Sequence, residues 1–137
     1  MITFHSESDF NLINQTKLSK WIEFCINQEN KELGEITYVF CDDHYLLRLN
    51  IKHLNHNTLT DIISFDYGVD NIVSGDIYIS TDRVADNAKN LSIEFCDELH
   101  RVMIHGVLHY CGYKDKTSND KITMRSKEDY YLSLRTF

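Results

Sequence analysis

Two histidines, His105 and His109, stand four residues apart in the segment HGVLHYCGYKD. On a helix, that spacing sets both imidazoles on one face, one turn apart, so two ring nitrogens can converge on one cation. Gly112 follows three residues after the second histidine, where a glycine can end the helix in a left-handed conformation and fold the chain back. Asp115 then falls where the returning chain can supply a third donor. Three protein donors leave one tetrahedral position open, the arrangement of a catalytic rather than a closed structural zinc. The segment therefore predicts one divalent ion held by His105, His109 and Asp115, with zinc favoured by the donor types, and hydrolytic chemistry at that ion.

A His-His pair alone is equally compatible with a packing or surface role; the Gly112 break and the third donor favour a metal. The spacing is that of the metzincin zinc site, with two differences. Gly106 stands where a metzincin has its catalytic glutamate, so the usual base for peptide hydrolysis is missing, and a glycine within a helix points to close approach of backbone or substrate. Asp115 stands where a third histidine is usual; a carboxylate is a competent ligand and lowers the positive charge at the metal. Lys114, Lys116, Lys121, Arg125 and Lys127 cluster after the motif, and Lys114, Lys116 and Arg125 are candidate phosphate contacts beside the metal. Asp61, Asp66 and Asp76 border the strands and could line a cleft, though each reads first as a turn or cap residue. Cys111, two residues after His109, projects to another helix face and is not expected to be a ligand.

The elements that must carry these residues follow from periodicity, because proline is absent and only five glycines punctuate the chain. Ile2 to Phe4, Glu35 to Cys41, Thr60 to Phe65 and Gly75 to Ser80 read as strands; the polar link with Gly68 and Asn71 suits an antiparallel hairpin. Leu18 to Ile26 reads as an amphipathic helix packed by Trp21. Asp42 or Asp43 caps a second helix whose apolar face includes Leu46, Leu47, Leu49 and Leu54. Thr81 or Asp82 caps a third, running to about Asn90. Ser92 caps a fourth, with Glu94 in its first turn and a stripe of Phe95, Leu99, Val102 and Met103 that leads to the histidines. A last helix runs from about Ser118 to Leu134. Strands and helices mix without strict alternation, which predicts an α+β fold, a small mixed sheet packed against several helices, in one domain spanning residues 1–137.

A formal charge of −7 repels phosphate backbones as a whole, so any nucleic-acid contact must come from a local basic surface. Four cysteines without a C-x-x-C pair exclude a thiolate zinc site of ordinary spacing and a disulfide framework. No apolar run has the length of a membrane span and the first residues lack a signal-peptide pattern, so a cytoplasmic location without membrane contact is expected.

Three blocks together resemble the YbeY-type endoribonucleases, the ribosomal RNA maturation factors. TDIISF at Thr60 to Phe65 is similar to the family's T-[DN]-V-L-S-F, GDIYIS at Gly75 to Ser80 to its G-D-I block, and HGVLHYCGYKD to its H-G-x-L-H-L-x-G-Y-D-H. Met124 and Glu128 fit the spacing of its last helix, and the similarity runs from about residue 36 to 130. The resemblance implies an α+β fold, a zinc ion, and RNA as partner. It also implies single-strand-specific cleavage in maturation of the three-prime end of small-subunit ribosomal RNA, and a part in ribosome quality control. His105 and His109 match the family's first two zinc positions, and Asp115 matches a third that is histidine in most members. Leu54 stands where the family usually has an arginine thought to serve RNA chemistry. A metal-stabilised, non-catalytic ribosome-assembly factor and a zinc peptidase are the alternative readings.

Overall fold

Alternation along EITYVFC places Ile36, Tyr38 and Phe40 on one side of an extended chain and Thr37, Val39 and Cys41 on the other. Thr37 apart, both sides are apolar, so this segment has to be covered twice. A computed structural model, which describes all residues from Met1 to Phe137, shows how. The elements run β1 (Ile2–Ser6), α1 (Gln15–Gln28), β2 (Glu32–Cys41), α2 (Asp43–Leu54), β3 (Ile62–Asp66), β4 (Ile72–Ser80), α3 (Thr81–Leu91), α4 (Phe95–Tyr110) and α5 (Ser118–Ser133). The strands form one mixed sheet in the order β1-β2-β4-β3, with β1 and β4 parallel to β2 and β3 antiparallel to β4. This is the α+β architecture expected from the sequence.

One sheet face, carrying Tyr38, Phe40, Val73 and Ile77, packs against α1, α4 and α5 in the main core. The other carries Cys41 and Ile63 and is covered by α2 through Leu46, with Tyr45, Leu49, Phe65 and Tyr78 around it. Trp21 anchors α1 as expected: its Nε1 donates to the Tyr131 carbonyl at 2.8 Å, which ties α1 to α5. All four cysteines are free thiols, and no helix is long and apolar enough to cross a membrane.

Two glycines set distances that the site depends on. A Cβ on Gly106 would stand 3.1 Å from the δ-methyls of both Ile62 and Ile77, so its absence lets α4 lie close on β3 and β4. Gly75 leaves room for the Tyr110 hydroxyl, which lies 2.8 Å from the Phe65 carbonyl and 3.1 Å from that of Asp76. The last turn of α4 is thereby tied to the hairpin of β3 and β4.

Several boundaries differ from the sequence reading, each for a local reason. Strand β4 begins at Ile72, because its pairing with β2 extends through Val73 opposite Leu33. Helix α3 is capped by Ser80, whose hydroxyl accepts from the Arg83 amide, rather than by Thr81 or Asp82. Ser92 does not cap α4; it ends α3 in a left-handed conformation at φ 57°. Glu94 takes the N-cap position of α4 instead, and Asp97 and Glu98 supply the first-turn acids. Leu54 is 44% exposed, beyond the buried face of α2, and the left-handed Asn55 that follows ends that helix.

Candidate metal centre

Helix α4 delivers His105 and His109 from its last turns, and the turn after it is built to bring the chain back. Gly112 has φ 107°, its amide donates to the His109 carbonyl at 3.0 Å, and the Tyr113 amide donates to the Leu108 carbonyl at 3.1 Å. That pair of bonds is a Schellman motif, which satisfies carbonyls the helix end would otherwise leave open. The reversed chain carries Asp115 to the two histidines.

The three donor atoms form a small triangle. His105 Nε2 and His109 Nε2 are 3.0 Å apart, and Asp115 Oδ2 lies 3.2 Å from the second and 3.4 Å from the first. Donors at about 2.0–2.1 Å from a tetrahedral zinc are separated by about 3.3 Å, so the triangle fits one such ion. The imidazole tautomers fit as well. His105 Nδ1 lies 2.6 Å from Glu128 Oε2, and His109 Nδ1 lies 2.9 Å from the Tyr113 carbonyl. Each partner is an acceptor, so each Nδ1 carries the proton and each Nε2 lone pair is turned toward the triangle.

Glu128 is itself held. Arg101 Nη1 donates to its Oε1 at 3.2 Å, while Arg101 Nε donates to Glu98 Oε1 at 2.7 Å and the adjacent Nη2 engages Glu98 Oε2. Burial works against ionisation of Glu128, but the hydrogen bond to His105 and the Arg101 charge outweigh it and hold its carboxyl below the usual range. The bidentate bond to Glu98 likewise raises the Arg101 pKa against the effect of burial.

A cavity of about 370 Å³ opens on the triangle, lined by His105, His109, Asp115, Arg101, Val102 and the β3 side, Thr60, Asp61, Ile62 and Ser64. Asp61, at the bend before β3, thus lines the cleft, and burial raises its carboxyl pKa despite the nearby Arg101. The three basic candidates lie elsewhere. Lys114 and Lys116 are exposed on the turn, and Arg125 lines a separate shallow depression with Lys121 and Asp129. The basic side chain in the cavity is Arg101, missed in the sequence because it precedes the motif; its signal is the four-residue step to His105, which puts both on one helix face. Leu54 does not line the cavity. Cys111 forms the C-cap, outside the triangle, and burial pushes its thiol up to about 11. Gly106 faces the sheet, so its role is close packing of backbone and not substrate approach.

Fold and site together define a class: α+β proteins that carry a candidate three-donor metal centre at the C-terminal end of a helix packed on a mixed sheet. The sequence pattern of the family described as Endoribonuclease YbeY matches residues 2–135. A protein of Flavobacterium psychrophilum named Endoribonuclease YbeY is 55% identical over 98% of this chain and 96% of its own length. One of Christiangramia forsetii with the same name is 50% identical over 97% and 93%. The solution structure of the Thermotoga maritima protein TM1509 has the same fold, with a TM-score of 0.68 at 22% identity, covering 97% of this chain and 87% of that one. The chain belongs to the endoribonuclease YbeY family, a family of RNA-cleaving hydrolases.

Proposed function

We propose that this chain is a single-domain, zinc-dependent endoribonuclease that cuts single-stranded RNA during maturation of the small-subunit ribosomal RNA three-prime end. In this reading it acts in the cytoplasm and serves ribosome quality control as well. The observation that carries the metal is the donor triangle of His105, His109 and Asp115 with both imidazole Nδ1 atoms already committed to acceptors. A zinc ion held there supplies Lewis acidity, polarising a phosphoryl oxygen and lowering the pKa of a water toward neutrality.

The chain's own groups do the rest. Arg101 spends three of its five N–H groups on Glu98 and Glu128, which leaves two for a phosphate oxygen in the cavity. Ser64, exposed on β3, offers its hydroxyl to the backbone of a strand entering from solvent, while the Thr60 hydroxyl beside it donates to the Ile62 carbonyl at 3.4 Å. A stretched single strand reaches such a recessed site more readily than a duplex, whose width keeps its phosphates at the rim. Gly106 argues against peptide hydrolysis, since no carboxylate can occupy its sheet-facing position.

One observation favours a second reading, a metal-stabilised assembly factor without catalysis. The cavity's basic residue, Arg101, is already paired with two carboxylates in a chain of net charge −7, so its attraction for phosphate is weakened. Metal content and cleavage measured together separate the two. Wild-type protein with one zinc should cut single-stranded RNA and spare duplex, and His109→Ala should lose both metal and cutting. Zinc-loaded wild type that leaves single strands intact would establish the assembly reading.

A further inference from the structure

The two candidate metal histidines are held by acceptors of different kinds. His105 is held by a buried side chain, Glu128, whereas His109 is held by a backbone carbonyl on the turn that follows its own helix. A turn carbonyl orients an imidazole only as firmly as the turn itself is fixed. Between Gly112 and Thr117 the side chains of Lys114 and Lys116 are exposed, and a Cβ at Gly112 would meet nothing within 4 Å. Tyr113 is the anchor of this turn. Its ring packs on the main core, and its hydroxyl donates to Glu29 Oε1 at 2.7 Å.

Glu29 is unusual where it stands. It caps the C-terminus of α1, where the helix dipole opposes a negative charge, so it does not serve α1 itself. A solvated carboxylate there would be unremarkable, but this side chain is only 11% exposed. It is met by three donors: Tyr113, the Tyr131 hydroxyl on its Oε2, and Lys127 Nζ at 3.4 Å. Lys127 also lies 5.6 Å from the centroid of the Tyr113 ring, which adds a cation–π contact to the same side chain.

We propose that Glu29 and Tyr113 are positioning residues of the metal site, a latch in which α1 fixes the turn that orients His109 and presents Asp115. The inference rests on the metal reading above. It gives α5 control of both histidines. Glu128 reaches His105 directly, and its neighbours Lys127 and Tyr131 reach His109 through Glu29 and Tyr113.

The test is the zinc affinity of purified protein, read by competition with a chromophoric chelator, beside the thermal midpoint of the metal-free form. Tyr113→Phe keeps the ring and removes the hydroxyl; its zinc dissociation constant should rise about tenfold, as for loss of other groups that orient ligands, with a metal-free midpoint near wild type. Glu29→Leu should show a similar rise, and Glu29→Gln, whose amide oxygen still accepts from one tyrosine, a smaller one. If the two residues act through each other, the Tyr113→Phe, Glu29→Leu double variant should bind no more weakly than the worse single. Should Glu29→Leu not fold, Glu29→Gln combined with Tyr113→Phe takes its place in the cycle. Wild-type affinity in Tyr113→Phe and the Glu29 variants overturns the latch and leaves the metal site standing. Additive losses, or losses that track a fall in the metal-free midpoint, overturn it too. A wild type that binds no zinc overturns both.

Discussion

Glu128 Oε2 lies 2.6 Å from His105 Nδ1, so α5 holds the first candidate metal histidine through a carboxylate that is 2% exposed. The same carboxylate accepts from Arg101, whose other carboxylate partner, Glu98, is fully buried. Glu128→Ala should therefore act twice. Loss of the group that orients His105 should raise the zinc dissociation constant about 10- to 100-fold. Loss of one of the two carboxylates that pair with the half-buried Arg101 should cost about 2 kcal/mol of stability. Chelator competition and urea denaturation check the two separately, and an unchanged dissociation constant would mean that Glu128 serves only the ion pair.

Asp115 is the most exposed of the three donors, at 44% of its side chain against 16% and 30% for His105 and His109. It sits on a turn, so its contribution depends on the ion it meets rather than on packing. Asp115→Ala should leave a two-histidine site that loses its zinc on dialysis against a weak chelator, with the fold intact. Asp115→His should keep stoichiometric zinc, because an imidazole is an equally good donor at that distance. Metal analysis after dialysis decides; full zinc in Asp115→Ala would remove Asp115 from the ligand set.

Much of the candidate site was legible in the sequence because it is local. His105, His109, Gly112 and Asp115 fall within eleven residues, and helical geometry plus a glycine stop relate them without any long-range information. The Tyr113 carbonyl that meets His109 is also local, but the other groups around the candidate ligands are far away in the chain. Glu128 comes from α5, Ser64 from β3 and Asp61 from the residue just before β3, brought in by sheet pairing and helix docking that no periodicity reports. Lys114, Lys116 and Arg125 show the converse: near in sequence, none of them lines the cavity, and Arg125 comes closest to the site through Glu128 Oε1, 3.8 Å from its Nε. The fold class and all nine elements could be read from apolar patterning. The start of α4 could not, because Ser92 has the chemistry of an N-cap and is used instead in a left-handed stop.

Gly106 allows a direct test of why this motif lacks a glutamate. Its missing Cβ faces Ile62 and Ile77 in the sheet, so any larger side chain there enters the core and not the cavity. Gly106→Ala should be close to neutral: about 1 kcal/mol gained in helix propensity is offset by pushing two isoleucine tips that lie at 3.1 Å. Gly106→Glu should lower stability by at least about 3 kcal/mol, from overpacking and a buried carboxyl, and should gain no peptide hydrolysis. Urea melts and a peptide-cleavage assay measure both effects. A stable Gly106→Glu protein with peptidase activity would contradict the packing assigned to this residue.

His100 predicts a pH dependence that is separate from the candidate metal ligands. It lies in α4 at 5% exposure, between the rings of Trp21 and Phe137, and its Nδ1 lies 2.7 Å from Arg135 Nη1, so it must accept. Burial first, then the Arg135 charge, lower its pKa to about 4, with Asp97 opposing from beyond Arg135. The unfolded chain takes up this proton near pH 6.5, the ordinary value for histidine, while the folded chain resists until about pH 4. Its contribution is therefore whole above pH 6.5, and stability declines as pH falls from 6.5 toward 4. The total loss should be about 2 kcal/mol, allowing for some solvent relaxation around the ring. His100→Phe removes the titration. Urea denaturation of wild type and His100→Phe at intervals from pH 7.5 to 4.5 should give curves that converge by this amount toward low pH, with wild type falling faster. Parallel curves would show that His100 is not held neutral in the folded protein.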